Sequence, residues 1–132
     1  MSTRAQVRFA TREEGVSFSE HPEKIHAQFY VHSDGYPEGL GLDIAMSYAD
    51  QEIISGWEIE HVDTIHGDIE YMYYIWQDHG KSMWISIFKL ARYSLNLEED
   101  KCIFVGKPNK LISEYGSQLE DSYYKLNTND DG

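Results

Sequence analysis

Residues 69–90 read Ile69-Glu-Tyr-Met-Tyr-Tyr-Ile-Trp-Gln77-Asp-His-Gly-Lys81-Ser-Met-Trp-Ile-Ser-Ile-Phe-Lys-Leu90, and this stretch decides the fold. Two runs rich in aromatic and β-branched residues, about 69–77 and 82–90, flank the turn-forming Asp78-His-Gly-Lys81, which predicts a β-hairpin. A two-residue His79-Gly80 turn sets paired positions to sum to 159. Asp78 then faces Lys81 and Glu70 faces Lys89, two opposite-charge pairs that support the register. One face of the ribbon carries Met72, Tyr74, Trp76, Met83, Ile85 and Ile87, and the other Tyr71, Tyr73, Ile75, Trp84 and Phe88. A sheet with one wet side would not be apolar on both faces. The expected arrangement is a central ribbon covered twice; the alternative leaves one aromatic face for a partner.

Outward from the hairpin, Cys102-Ile-Phe-Val105 reads as a last strand. Pro108 then opens a short helix to about residue 119, with Leu111, Ile112, Tyr115 and Leu119 on its apolar side. Upstream, Arg4–Phe9 alternates with period two, and Val16-Ser-Phe18 reads as a short return strand. Ile25–Val31 is a stronger strand, with Ile25, Ala27, Phe29 and Val31 on one side. After the Asp34-Gly35 turn, Pro37 suits a first helical turn because its missing N–H has no partner there. Leu40, Ile44, Ala45 and Tyr48 continue at helical spacing, so a helix is expected over about 37–54, stopped by Gly56. The sum is one α+β domain over 1–126, a mostly antiparallel sheet with two helices, followed by a flexible acidic tail at 127–132.

The chain has 132 residues, with 41% hydrophobic and 14% aromatic residues, enough for a buried core. Its formal charge is −12, which argues against direct binding of nucleic acid through phosphates. No apolar run approaches a membrane span, and the N-terminus lacks a signal-peptide core. The single Cys102 cannot form an internal disulfide, so a reducing cytoplasm is expected. In an apolar strand, its thiol is expected to be buried and inert.

The charge is concentrated. Residues 31–80 hold eleven Asp and Glu and no Lys or Arg, while residues 1–30 are neutral and residues 81–132 sum to −1. Such a block either lies on a solvated face or meets a basic partner whose potential complements it. The residues expected to meet that partner are Asp63, Asp68, Glu70 and Asp78, then Glu58 and Glu60, with Tyr71, Tyr73 and Trp76 as aromatic anchors where exposed.

Other motifs carry less. His61, Asp63, His66 and Asp68 are four candidate metal ligands within eight residues, a donor set suited to zinc, but their spacing fits no familiar metal signature. No metal or other cofactor is therefore expected. Gly80-Lys81-Ser82 ends like a phosphate-binding loop, yet that motif needs Gly where Ile75 stands. His32-Ser33-Asp34 has the residue types of a hydrolytic triad, but three neighbours in one turn cannot line up as nucleophile, base and orienter. His32 with Asp34 or Glu38 has the chemistry for acid–base work, while a capped turn before a helix accounts for the same residues. No catalytic residue is assigned.

Tyr30-Val-His-Ser-Asp-Gly-Tyr-Pro-Glu-Gly39 running into a helix, after the start Ser2-Thr-Arg-Ala5, resembles small uncharacterised phage and prophage proteins with a strand–HxDGYPEG–helix segment. The resemblance covers mainly residues 2–55. It implies a small acidic phage-type protein in the cytoplasm of a bacterial or archaeal host. Such proteins often bind host or defence machinery, as DNA mimics and inhibitors of CRISPR–Cas effectors do. The leading expectation is a non-enzymatic inhibitor that occupies the basic surface of a nucleic-acid-handling host protein. The alternatives are a small metal-dependent enzyme or metal-binding protein using His61, Asp63, His66 and Asp68, and a homodimeric structural module using an aromatic sheet face.

Overall fold

The computed structural model describes residues 3–13, 15, 17, 18, 20–50, 57–64, 66–91 and 100–116. The expected return strand at Val16, the helix end at residues 51–54 with Gly56, the helix residues 117–119 and the tail at 127–132 lie outside the described residues. The elements in chain order are β1 (Arg4–Thr11), β2 (Lys24–Val31), a wide helical turn (Pro37–Gly41), α1 (Leu42–Asp50), β3 (Trp57–Glu60), β4 (Ile69–Gln77), β5 (Met83–Lys89), β6 (Lys101–Gly106) and α2 (Pro108–Tyr115).

The six strands form one mixed sheet in the order β3-β2-β1-β4-β5-β6. Four pairings are antiparallel and one, β1 with β4, is parallel. The architecture is α+β. Strand β1 lies inside the sheet, between β2 and β4, so its neighbours come from distant sequence rather than from residues 16–18. The short β3 was not expected, although its four residues Trp57-Glu58-Ile59-Glu60 alternate with period two. It forms by pairing Trp57–Glu60 with Gln28–Val31 of β2.

The hairpin register differs from expectation by one residue. Tyr71 faces Lys89 and Gln77 faces Met83, so paired positions sum to 160. The cause is a three-residue His79-Gly80-Lys81 turn in which Lys81 adopts a left-handed backbone, φ 64°. That is the bulged form of a short hairpin loop. The turn is closed by Asp78 N–H to Ser82 O at 3.0 Å and Lys81 N–H to Asp78 O at 2.9 Å. Asp78 stabilises it further by accepting from Ser82 N–H (2.9 Å) and the Trp84 indole N–H (2.8 Å). A one-residue slip exchanges the faces of a whole strand. Ile85 and Ile87 therefore share a face with Tyr73 and Ile75, while Trp84 and Phe88 share the other with Tyr74 and Trp76.

The Tyr73 face is the helix side. Ala5, Val7, Val31, Tyr73, Ile85 and Ile87 pack there against Leu40, Ile44, Ala45 and Leu111. The opposite face has no helix over it among the described residues. Phe18 and His21 cover its hairpin half: Phe18 stacks on Trp76 and Trp84 with centroids 6.0 and 6.4 Å away, and His21 lies 4.0 Å over Phe88.

The HSDGYPEG segment has a structural role of its own. Asp34 sits at φ 57° and its carbonyl accepts from Leu40 N–H at 2.9 Å, starting the helical turn. Gly35 donates its N–H to Thr3 O at 2.9 Å, and its carbonyl accepts from the buried Tyr73 hydroxyl at 2.6 Å. This pins the helix entry onto the first residues of the sheet. A Cβ on Gly35 would stand 2.8 Å from Ala5 Cβ and 3.0 Å from Thr3 O, closer than atoms can pack. Gly35→Ala is expected to lower the free energy of unfolding by about 1–3 kcal/mol, read as a lower urea midpoint at unchanged slope.

Candidate functional site

On the helix-free face, alternation along the strands places Gln6 and Arg8 of β1, Gln28 of β2, Glu60 of β3 and Tyr74 of β4 in neighbouring positions, since Gln28 pairs with Glu60 and Arg8 with both Gln28 and Tyr74. A polar row therefore crosses four strands. Gln6 and Gln28, 2% and 0% exposed, each donate from Nε2 to Glu60 Oε1 at 2.8 Å. The same amides reach Thr64 O at 3.2 and 3.0 Å, which ties the loop after β3 down on the sheet. His66 Nε2 donates to Glu60 Oε2 at 2.5 Å, and its ring stacks on Tyr30 with centroids 4.0 Å apart.

The row continues in the other direction. Arg8 donates from Nε to Gln28 Oε1 at 2.6 Å and from Nη1 to the Tyr74 hydroxyl at 3.1 Å. The hydroxyl lies 2.8 Å from His21 Nδ1, and His21 Nε2 lies 2.9 Å from Asp100 Oδ2. With neutral His21 the donors and acceptors close in one sense: Tyr74 donates to Nδ1, and Nε2–H donates to Asp100. Burial pushes the Tyr74 phenol up, against the opposing pull of Arg8. Arg8, His21, His66, Tyr74 and Asp100 line an open cleft of about 410 Å³.

Glu60 is the acid that sequence reasoning placed on a partner-facing surface. Its side chain is only 13% exposed and it anchors the network. Burial would raise its carboxyl, but the hydrogen bonds from His66, Gln6 and Gln28 outweigh this and hold it below its usual value.

The other expected site residues divide between the two ends of the sheet. Arg4 of β1 pairs with Ile69 of β4, Val31 of β2 with Ala5 and with Trp57 of β3, so all four strands share one end there. Asp68 and Glu70 lie at that end, as do Glu58 and the Asp34 turn. Asp68 is bound by Arg4 at 2.8 Å and by the Tyr30 hydroxyl at 3.1 Å. His32 reaches Glu58 at 2.9 Å, rather than Asp34 or Glu38. Burial raises the Tyr71 phenol, and the charges of Glu38 and Glu70 add to it. Asp43 is raised by burial and by Asp34. Six acids thus share one end with Arg4, and Lys89, directly opposite Tyr71, and Lys101 stand at the same end on β5 and β6.

Asp78 belongs to the opposite end, at the hairpin turn, roughly 30 Å from Asp68 at about 3.3 Å per strand residue. Asp63, 87% exposed, lies in the loop after β3. Tyr73 is fully buried on the helix side, Trp76 is buried under Phe18 and donates to Ser86 Oγ at 3.0 Å, and Tyr71 is half-buried against the helix-side core. None of the three stands free on the surface.

The four candidate metal ligands are dispersed over different contacts. His61 lies 3.5 Å from Asp63, His66 is on Glu60, and Asp68 is on Arg4. Among the described residues, no three His, Cys, Asp or Glu side chains converge on a metal position. Cys102 is half-buried, its thiol raised by burial. No helix among the described residues is long and apolar enough to cross a membrane. Compared with protein-family models, curated proteins and solved structures, the chain matches none.

Replacing Glu60 removes the carboxylate that two buried amides share and leaves them only the backbone carbonyls of the loop after β3, so Glu60→Leu is expected to cost about 1–3 kcal/mol in urea unfolding. The pH dependence has a definite sign. A carboxyl held below its ordinary 4.5 contributes stability that is complete above that value and is lost as pH falls through the folded value. The wild-type protein should therefore lose stability more steeply below about pH 4.5 than Glu60→Gln, whose profile should flatten.

Proposed function

We propose that the chain is a small acidic binding protein of phage type, acting without catalysis on a basic, nucleic-acid-handling host protein, of which a CRISPR–Cas component is one example. The carboxylates stand in for phosphates and compete with nucleic acid for the partner's basic surface. The observation that carries the reading is the gathering of Asp34, Glu38, Asp43, Glu58, Asp68 and Glu70 at one end of the sheet. Acids spread over 31–80 in sequence come to one end of the sheet through the β3-β2-β1-β4 order. Self-repulsion there costs stability, and Arg4 is the one arginine or lysine of β1–β4 that ion-pairs with these six.

The reading moves the expected contact surface. Glu58, Asp68 and Glu70 remain in it, Asp34, Glu38 and Asp43 join it, and Asp78 and Glu60 leave it for structural roles. The aromatic contribution narrows to the exposed edge of Tyr71 and to Tyr36, which is 37% exposed.

Reversing the exposed acids of this end tests the reading. A Glu38→Lys, Glu58→Lys, Glu70→Lys variant should bind the captured host protein at least about tenfold more slowly than the wild type, with a weakened salt dependence. Duplex DNA should displace the wild-type protein from the same partner. A Glu20→Lys, Glu23→Lys control alters acids next to β2 at the far end and should bind nearly normally. Equal binding by the triple variant, or no competition by DNA, would remove the mimic.

A further inference from the structure

Arg8 is anomalous in so acidic a protein. It sits half-buried on the sheet at the floor of the 410 Å³ cleft, and both of its hydrogen bonds go to uncharged groups, Gln28 Oε1 and the Tyr74 hydroxyl. Among the described residues no carboxylate stands within ion-pair distance of it. Carboxylates do stand one residue farther out on each side, and both are already engaged. Glu60 is held by Gln6, Gln28 and His66, and Asp100 by His21. The network thus keeps a cation at its centre and its own anions away from that cation.

A guanidinium has five N–H donors in a planar fork that fits a carboxylate edge-on. Gln28 and Tyr74 take two of the five, and these contacts fix the plane of the fork. Around it the cleft is largely apolar, walled by Pro22, Ile69, Met72 and Leu90. A fixed cationic group in a mostly apolar concavity of several hundred Å³ is the usual form of a small-molecule site.

We propose that this cleft binds a small organic monocarboxylate, its carboxylate held by Arg8 and its apolar body lying against Met72 and Leu90. The charge state follows from the surroundings. One negative charge is matched by the guanidinium, whereas a dianion such as a phosphate monoester would also face Glu60 and Asp100. The site is separate from the acidic sheet end, and it stands or falls independently of the binding function proposed above.

The test uses the full chain and phenylacetate as probe, with 2-phenylethanol as the uncharged analogue and phenyl phosphate as the dianion. In amide and guanidinium NMR spectra, millimolar phenylacetate should move the Arg8 Nε–H signal together with the Thr64 and His66 amides. Phenylethanol and phenyl phosphate should bind at least about tenfold more weakly, and Arg8→Gln should lose phenylacetate by a similar factor. An unmoved Arg8 signal overturns the site, and so does a folded Arg8→Gln variant that binds equally well. Tighter binding of phenyl phosphate overturns the carboxylate assignment. Should Arg8→Gln fail to fold, the wild-type Arg8 titration decides alone.

Discussion

The structure depends on a single parallel seam. β3-β2-β1 and β4-β5-β6 are each antiparallel three-stranded units, and only the pairing of β1 with β4 joins them. On the helix side the seam is apolar, with Ala5 and Val7 beside Tyr73 and Ile75 under the helical turn and α1. On the other side it is polar, with Gln6 and Arg8 beside Tyr74. The Arg4–Asp68 ion pair closes its open end, though an exposed pair of this kind adds little by itself. A parallel pairing needs a crossover, because a tight turn cannot connect its strands. That is why β2, the helices' entry and β3 intervene between β1 and β4 in sequence.

The polar side of the seam explains how one sheet face stays in order with no helix over it among the described residues. Buried amides on an uncovered face are stable only when every donor finds an acceptor. Glu60 provides that acceptor from the neighbouring strand, and the carbonyls of His61 and Thr64 supply the rest. The loop after β3 is therefore bound to the sheet by hydrogen bonds, with the His66 ring stacked on Tyr30. The hairpin half of the same face is treated differently, its aromatics being stacked under Phe18 and His21. The cleft lies where the two kinds of cover meet.

Much of this was legible in the sequence where local chemistry decides. The two hairpin strands follow from their β-branched and aromatic runs, and the helix start follows from Pro37. The register did not follow, because it turned on the left-handed backbone of Lys81, a conformation that a lysine seldom signals. Glu60 was misplaced for a different reason. In sequence it is one of eleven unpaired acids, and only the alignment of Gln28 and Gln6 with it across strands 32 and 54 residues away in sequence distinguishes it. Arg8 went unremarked because an arginine in a neutral stretch carries no signal until its neighbours are known to be uncharged.

The charge distribution then has two scales. At the sheet end, six carboxylates share one region, and like charge there opposes folding. At the centre of the polar row the arrangement is reversed. A guanidinium is held by neutral groups, with carboxylates kept at one remove by the amides of Gln28 and by His21. Moving either carboxylate onto Arg8 would form a stronger contact for Arg8 but would strip Gln6 and Gln28, or His21, of a partner. The present pattern satisfies all of these groups at once, with Arg8 lining the cleft. An acidic chain that folds this way keeps one guanidinium clear of carboxylate contact as a consequence of satisfying its buried amides, and beside that guanidinium a singly charged anion would meet the least opposition.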